Sequence, residues 1–468
     1  MSEDNGDGRA PAPPAGGGDR VGVIQAVAVD PAGAPAAAAD AIEDDTDEEE
    51  QHFDITLAAS HSYMGPGLVA VGGRSVREAG WRGRVPVLAH HGAVFPGETV
   101  PMRLPNPHDA SLLARAIKQD KLFGLLCPDE SGTLVSGYGA LCEVFEAQET
   151  PDTPLSLAFK ARASHRFRIK DMPKQKVPIH MYNRMRVVEV VVLPDQQPAP
   201  PLRRARLTAL DPLRARPHTH KVAALVRRLD AGATPWPAFV YHMFHYRHMR
   251  GLIQDYFHNV MGQDLFSQNL KRQSSGTRVS RPESSADVPA SNDKLPEDPV
   301  SLSFWTASNL PLAARERLRL LAVDDALLRL HMELGYIARK SVLCCASCAS
   351  DIARREHIFA MSSEGVHSNY TNLGGYMHDL VTVSQATNTE LSGAPSAEFS
   401  WFPGYRWTVA LCGGCMAHVG WRFDAMKRNL RPQQFYGLCR NYVQPRIEER
   451  DSESEEAMDE SPARAPVL

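Results

Sequence analysis

Residues 400–423 read SWFPGYRWTVALCGGCMAHVGWRF, and residues 344–348 read CCASC. Two knuckles, Cys345-x-x-Cys348 and Cys412-x-x-Cys415, each place two sulfurs on one side of a tight turn. Together they form a tetrahedral sulfur set suited to one Zn2+, and four thiolates leave no position for water, so the expected role is structural. Cys344 competes with Cys345, but the two-residue spacing favours Cys345. Metal binding supplies folding free energy to a small domain, so losing any one ligand should unfold whatever the zinc holds in place.

The tryptophans suggest what that is. Trp401 and Trp407 precede the second knuckle and Trp421 follows it. Alternation along a strand would put Trp401 and Trp407 on one face, although Pro403-Gly404 interrupts the period. Three indoles drawn together could wall a pocket for a cation or a small neutral ring. From composition alone, three core tryptophans explain them equally well.

Outward from these stretches, the 468-residue chain has room for two or three domains, with 43% hydrophobic and 23% charged residues. It contains no apolar run long enough to span a membrane, and its acidic Pro/Ala/Gly-rich start does not resemble a signal peptide. Eight cysteines, four of them in the knuckles, then favour reduced thiols and zinc over disulfides. Acidic runs at 43–50 and 448–460 leave a basic remainder that includes Arg203, Arg204 and Arg206. No aromatic-basic stripe accompanies it, which argues against nucleic-acid binding.

Residues 1–81 are expected to be disordered, and the Ser/Pro-rich stretch 263–299 to be a disordered insertion. Short strands are expected at 85–88, 94–95, 122–126, 140–145, 155–159 and 186–193, with a helix over 110–121, giving a β-rich domain. Helices follow over 222–229 and 236–261. In a further helix Leu327, Leu330, Leu334 and Ile337 form a core stripe, with Asp324 or Asp325 as its cap. This helix is expected to run straight into the first knuckle, followed by a small β domain. His242, His245 and His248 step by three along the expected helix and read as a packing or docking face rather than a metal site. His90-His91 should point to opposite faces of a strand.

Together with CCASC and YTNLGGYMHDLVTV (370–383), the run at 400–423 resembles the cereblon family, in its thalidomide- and cyclic-imide-binding CULT domain. VPVLAHHGAVFPGETVPMRL (85–104) resembles the start of that family's Lon-protease N-terminal domain. No GxxxxGK[ST] phosphate loop occurs, so no Lon ATPase accompanies it. The resemblance implies an α+β multidomain protein. A Lon N-terminal-like domain would occupy 82–339, with a helical adaptor-docking segment from about 202. A zinc-stabilised all-β CULT domain at 340–447 and an acidic tail at 448–468 would follow. It further implies a non-catalytic substrate receptor of a cullin 4 class ubiquitin ligase in nucleus and cytoplasm. Such a receptor docks on the damage-specific DNA-binding adaptor, meets the cullin-RING scaffold indirectly, and recruits proteins for ubiquitination and proteasomal degradation. Its cyclic-imide ligands would sit between Trp401, Trp407 and Trp421, with Phe423 at the base. The main chain at Phe399 and Trp401 would hydrogen-bond the imide, and Asn372, Tyr376 and His378 match a loop folding over the pocket. Phe399 stands where the family often has His, and Leu373-Gly374 where it usually has Pro-His.

Two other readings compete. The same cage could read methylated lysine, with Glu398 as the nearby carboxylate. Cys439-Arg440-Asn441 faintly resembles the Cys-x-Asn motif of B-type methionine sulfoxide reductases, which share a four-cysteine zinc fold. Gly437-Leu438, however, lacks the Arg-aromatic pair expected to activate that thiol.

Overall fold

The computed structural model describes residues 50–447, apart from 74–76, 150–154, 173–176, 198–201, 203–204, 216–218, 262–294 and 340. Most of the expected insertion, the acidic tail and the pair Arg203-Arg204 therefore lie outside the described residues. The expectation of disorder through residue 81 is corrected from residue 50 onward. Gln51–His52 (β1) pairs in parallel with Leu430–Arg431, and Asp54 caps a helix over Ile55–Ala59. Phe53, Ala58 and Met64 are buried. The apolar surface that orders this segment is supplied by residues more than 300 positions away, which a local composition cannot register.

Seven strands follow: β2 (Leu68–Ala70), β3 (Arg82–Ala89), β4 (Thr99–Leu104), β5 (Leu122–Pro128), β6 (Val135–Gln148), β7 (Leu157–Ile169) and β8 (Arg186–Val192). Their order is β2-β6-β5-β3-β8-β7-β4, and an added β6–β7 pairing closes the middle strands into a barrel. Alternation sorts their side chains onto two faces. Val87, Leu126, Leu141 and Phe167 join one core, while Phe123, Leu125, Val144 and Phe159 join the other, beneath the helix Pro107–Gln119. Val94 and Phe95 form no strand, because the Pro96-Gly97 turn follows at once. Phe95 instead stacks on Phe304 of the helical part, 6.4 Å between centroids. His90 and His91 likewise lie in the loop after β3 rather than within it.

The helical part has its own core. Met249, Ile253 and Phe257 of Tyr246–Met261 meet Leu302 and Phe304 of Pro299–Asn309, Leu320 and Leu321 of Ala314–Ala322, and Leu330 of Ala326–Ile337. The single helix expected over 236–261 is two, Ala238–Met243 and Tyr246–Met261, separated by a turn at Phe244-His245. His242, His245 and His248 therefore share no helix face; instead the His242 and His248 rings pack 4.4 Å apart. Asp325 rather than Asp324 caps the last helix. Asp324 joins Asp195 in pairing with the fully buried Arg166 of β7, at 3.1 and 2.9 Å, which ties barrel to helices.

A strand, not the knuckle itself, follows that helix. The second β region comprises β9 (Ser341–Cys345), β10 (Asp351–Arg354), β11 (His367–Thr371), β12 (Met377–Val383), β13 (Thr389–Ser396), β14 (Tyr405–Cys412), β15 (His418–Ala425), β16 (Leu430–Arg431), β17 (Gln434–Cys439) and β18 (Val443–Ile447). A three-stranded sheet β10-β9-β18 packs with a six-stranded one, β11-β12-β17-β15-β14-β13. Polar contacts join this region to the first. Asn369 Nδ2 donates to Glu98 Oε2 and to the Thr99 carbonyl, both at 3.1 Å, and Arg440 Nη2 donates to the Ser308 carbonyl at 2.6 Å. Asn309 Oδ1 accepts from the Val366 N–H at 2.8 Å. It lies 1.9 Å from where a Cβ on Gly365 would sit, at a φ of +130°, so only glycine permits this approach.

Candidate functional site

The knuckles lie where β9 and β14 end. After each, one non-glycine residue adopts a left-handed conformation, Ala349 at φ 60° and Met416 at φ 60°. Ala349 N–H returns to the Cys345 carbonyl at 2.9 Å, and Met416 N–H to the Cys412 carbonyl at 2.7 Å. These matching turns bring the sulfurs of Cys345, Cys348, Cys412 and Cys415 within 4.8 Å of one another. Cys345–Cys415 is 3.7 Å and Cys348–Cys412 is 3.5 Å. A tetrahedron with metal–sulfur bonds of about 2.3 Å has edges of about 3.8 Å, so the set fits Zn2+. The site holds a single structural zinc. Cys344 turns away, its sulfur 3.3 Å from Asp351 Oδ1, as the spacing required.

β14 and β15 connect this metal end to the aromatic cluster, with Trp407 five residues before Cys412 and Trp421 six residues after Cys415. Trp401 is not in a strand, as alternation had suggested, but in the turn preceding β14. Its ring is 8% exposed and meets Trp421 edge-on, 4.8 Å between centroids. Trp407 and Trp421 lie on neighbouring strands, with Trp407 opposite Phe423 and Trp421 opposite Val409. The buried Phe423 stacks on Phe435 and meets Phe402 at 4.8 Å. Among the described residues Trp407 has no ring contact with the other two indoles, so it stands apart as a separate wall. Its Nε1–H donates to the Glu398 carbonyl at 2.9 Å. The Phe399 carbonyl and Trp401 N–H have no hydrogen-bond partner among the described residues. Phe399 holds φ 52° and leaves its ring half exposed.

His378 of β12 packs against Trp401 at 5.7 Å and Trp421 at 5.0 Å. Burial pushes its imidazole down to about 4, with the neighbouring His418 and His91 adding to the shift, so it is neutral near pH 7. Asn372 Nδ2 lies 3.5 Å from His378 Nε2, and its Oδ1 accepts from the Tyr376 N–H at 2.9 Å. Asn372 and His378 thus join the cluster, whereas the Tyr376 ring projects outward, half exposed. Cys439 lies behind His378, 3.9 Å from its Nδ1. Burial raises that thiol well above its ordinary value, the opposite of what a nucleophile requires.

Sequence reading missed the second layer. Tyr370 stacks on Trp401 at 5.3 Å, and Trp401 Nε1–H donates to the Thr371 carbonyl at 3.1 Å. The N-terminal segment supports both: Tyr63 Oη accepts from the Thr371 N–H at 3.0 Å, and His61 packs against Tyr370 at 5.6 Å. Neither Tyr63 nor His61 belongs to a motif that would have marked it. His418 on the far side of Trp421, at 4.6 Å, could have been suspected from its place between knuckle and tryptophan.

A closed β barrel with helices, joined to a four-cysteine β domain, defines the class. Residues 84–339 match the substrate-binding domain of the ATP-dependent protease La (LON). Residues 341–457 match the Yippee zinc-binding/DNA-binding and Mis18 centromere-assembly family. Over most of its length the chain is similar to protein cereblon from several animals. It is 30% identical to that of Danio rerio over 85% of this chain and 88% of the relative. It is 29% identical to that of Xenopus tropicalis, over 88% of each, and 31% identical to that of Drosophila pseudoobscura pseudoobscura, over 85% of this chain and 59% of the relative. The chain belongs to the cereblon family.

Proposed function

We propose that the chain is the substrate receptor of a cullin 4 class ubiquitin ligase, without catalytic residues of its own, and that it binds cyclic imides at Trp401, Trp407 and Trp421. The observation that carries the ligand reading is the pairing of apolar indole walls with an unengaged backbone edge, the Phe399 carbonyl and the Trp401 N–H. A flat neutral ring with one polar edge is the complementary shape: its faces lie against indoles, its imide N–H meets the Phe399 carbonyl, and one imide carbonyl meets the Trp401 N–H. The neutral His378 at the wall suits an uncharged guest. Phe399 in place of His leaves this scheme intact, because it uses only the main chain there.

Docking on the damage-specific DNA-binding adaptor fits the helices from His220 to Met261. They expose Leu225, Leu229, Trp236, Phe239, Met243, Phe244 and Leu252, with Phe239 at 66% and Trp236 at 59%. An apolar surface of this kind on a soluble chain commonly marks a protein interface.

The test is calorimetric titration of a plain glutarimide into the zinc-loaded full chain, with Trp407→Ala as control. Saturable binding, weakened at least tenfold in the variant, is the expected result. No binding by a zinc-loaded, folded chain would overturn the imide reading. Binding of a trimethyl-lysine peptide that Trp407→Ala abolishes would replace it with the methyl-lysine reading.

A further inference from the structure

Neither zinc nor cage involves the cleft of about 230 Å3 where the helix Ala326–Ile337 gives way to β9. Leu310 and Leu312, both buried, and the ring of Tyr336 line it, and Arg315, Arg339 and Ile447 reach its rim. Two of its polar groups are already engaged. Arg355 closes the carboxyl end of the helix, donating to the carbonyls of Ile337 at 2.9 Å and Arg339 at 2.5 Å. Glu316 accepts from the Ala313 N–H at 3.0 Å, where it caps the helix Ala314–Ala322.

The charges around the opening are unbalanced. The Tyr336 hydroxyl lies in the field of Arg339, Arg319 and Arg315 against the single carboxylate of Glu316. Arg339 approaches Glu316 only to 3.7 Å, and Arg319 approaches Glu130 only to 4.0 Å with both side chains half exposed. β18 delivers the chain to this rim: Ile447, its last residue, is 52% exposed and pairs with Ser341. Residues 448–460, EERDSESEEAMDE, come next and carry eight acids against Arg450.

We propose that the acidic segment 448–460 occupies this cleft and pairs with Arg315, Arg319 and Arg339, strapping β18 of the zinc domain to the helix Ala314–Ala322 of the Lon-type domain. An extended chain advances about 3.3 Å per residue, so the first four residues after Ile447 can reach no farther than roughly 13 Å from it. Exposed ion pairs are individually weak and screened by salt. Attachment at the rim compensates, because a tether this short gives millimolar effective concentration, which a free acidic peptide from another protein must exceed to displace it. Phosphate on Ser452 or Ser454 would add about two negative charges each and tighten the strap.

The experiment uses a fluorescent peptide of residues 448–460 and two full-length chains. One is the natural sequence, and the other carries the amide in place of each of the eight acids, with zinc content and circular dichroism checked for folding. At low salt the peptide should bind the amide variant at least tenfold more tightly than the natural chain, whose cleft is filled. Arg315→Glu with Arg339→Glu in the variant should abolish that binding. Backbone hydrogen exchange over 310–322 should be faster in the amide variant than in the natural chain, and 0.5 M salt should remove the difference. Equal peptide affinity for the two chains, binding that survives the charge reversal, or identical exchange would each overturn the proposal.

Discussion

The two ends of the zinc domain are built differently. At the metal end every ligand comes from one of two four-residue knuckles, each spanned by two backbone hydrogen bonds, one of them donated by a left-handed residue to the carbonyl of the first cysteine. At the aromatic end, Trp401 depends on Tyr370, Thr371, His378 and Trp421, and beyond them on Tyr63 and His61. One end is local and held by bonds to a metal. The other is assembled from segments remote in sequence and held by ring packing and a few hydrogen bonds. A local device fails all at once when a ligand is lost, whereas a distributed one weakens by degrees.

That contrast can be broken most directly at the metal. Cys412→Ser, or removal of zinc by a chelator, should cost several kcal/mol and unfold the cage with the zinc site, since a structural zinc contributes on the order of 10 kcal/mol to such domains. Near-ultraviolet circular dichroism of the tryptophans and glutarimide binding should be lost together. A zinc-free chain that still binds the imide would show the two ends to be independent.

Acid probes the distributed end next. Burial lowers His378 to about 4, His61 to about 3 and His90 to about 4. In the unfolded chain each protonates near 6.5, so the unfolded state takes up protons first as pH falls. Their contribution is complete above about pH 6.5 and declines toward pH 4, by about 3 kcal/mol for His378 alone. Denaturant midpoints measured from pH 7.5 to 4.5 should fall, and His378→Gln should flatten the slope. An unchanged slope in that variant would move the acid sensitivity to the other histidines.

The smallest effect sharpens the comparison. Tyr63→Phe removes the hydrogen bonds of the Tyr63 hydroxyl with the Thr371 N–H and with His61 Nδ1 and should cost about 1–2 kcal/mol in stability. Because Thr371 also accepts from the Trp401 indole, imide affinity should fall a few-fold with zinc content unchanged. An equal loss of zinc would mean that the two ends are not separable.

Legibility followed the same division. The knuckles were readable because metal chemistry fixes both residue type and spacing over a few positions, and the barrel strands because burial imposes a period of two. Phe423 at the base and His378 in the loop folding over the pocket came from resemblance; in the structure His378 packs against Trp401 and Trp421 from β12, and Phe423 lies opposite Trp407 in the strand register. Alternation puts Trp401 in a strand only if the period runs through Pro403-Gly404, where the backbone turns. Neither Phe244 nor His245 is a strong helix breaker, so the pattern over 236–261 reads as one helix; the chain bends there with no signal in its composition.

By itself, then, the sequence determined the zinc site, the presence of a β-rich domain with helices and a small β domain, and the three indoles. Those features rest on interactions within a few residues or on a short repeat. Only the tertiary structure decided that residues 50–64 are ordered, that Tyr370 and Tyr63 back the cage, and that Asn309 fits the space left by Gly365. Each of these depends on partners tens to hundreds of residues apart, brought together by burial of surface that no local pattern encodes.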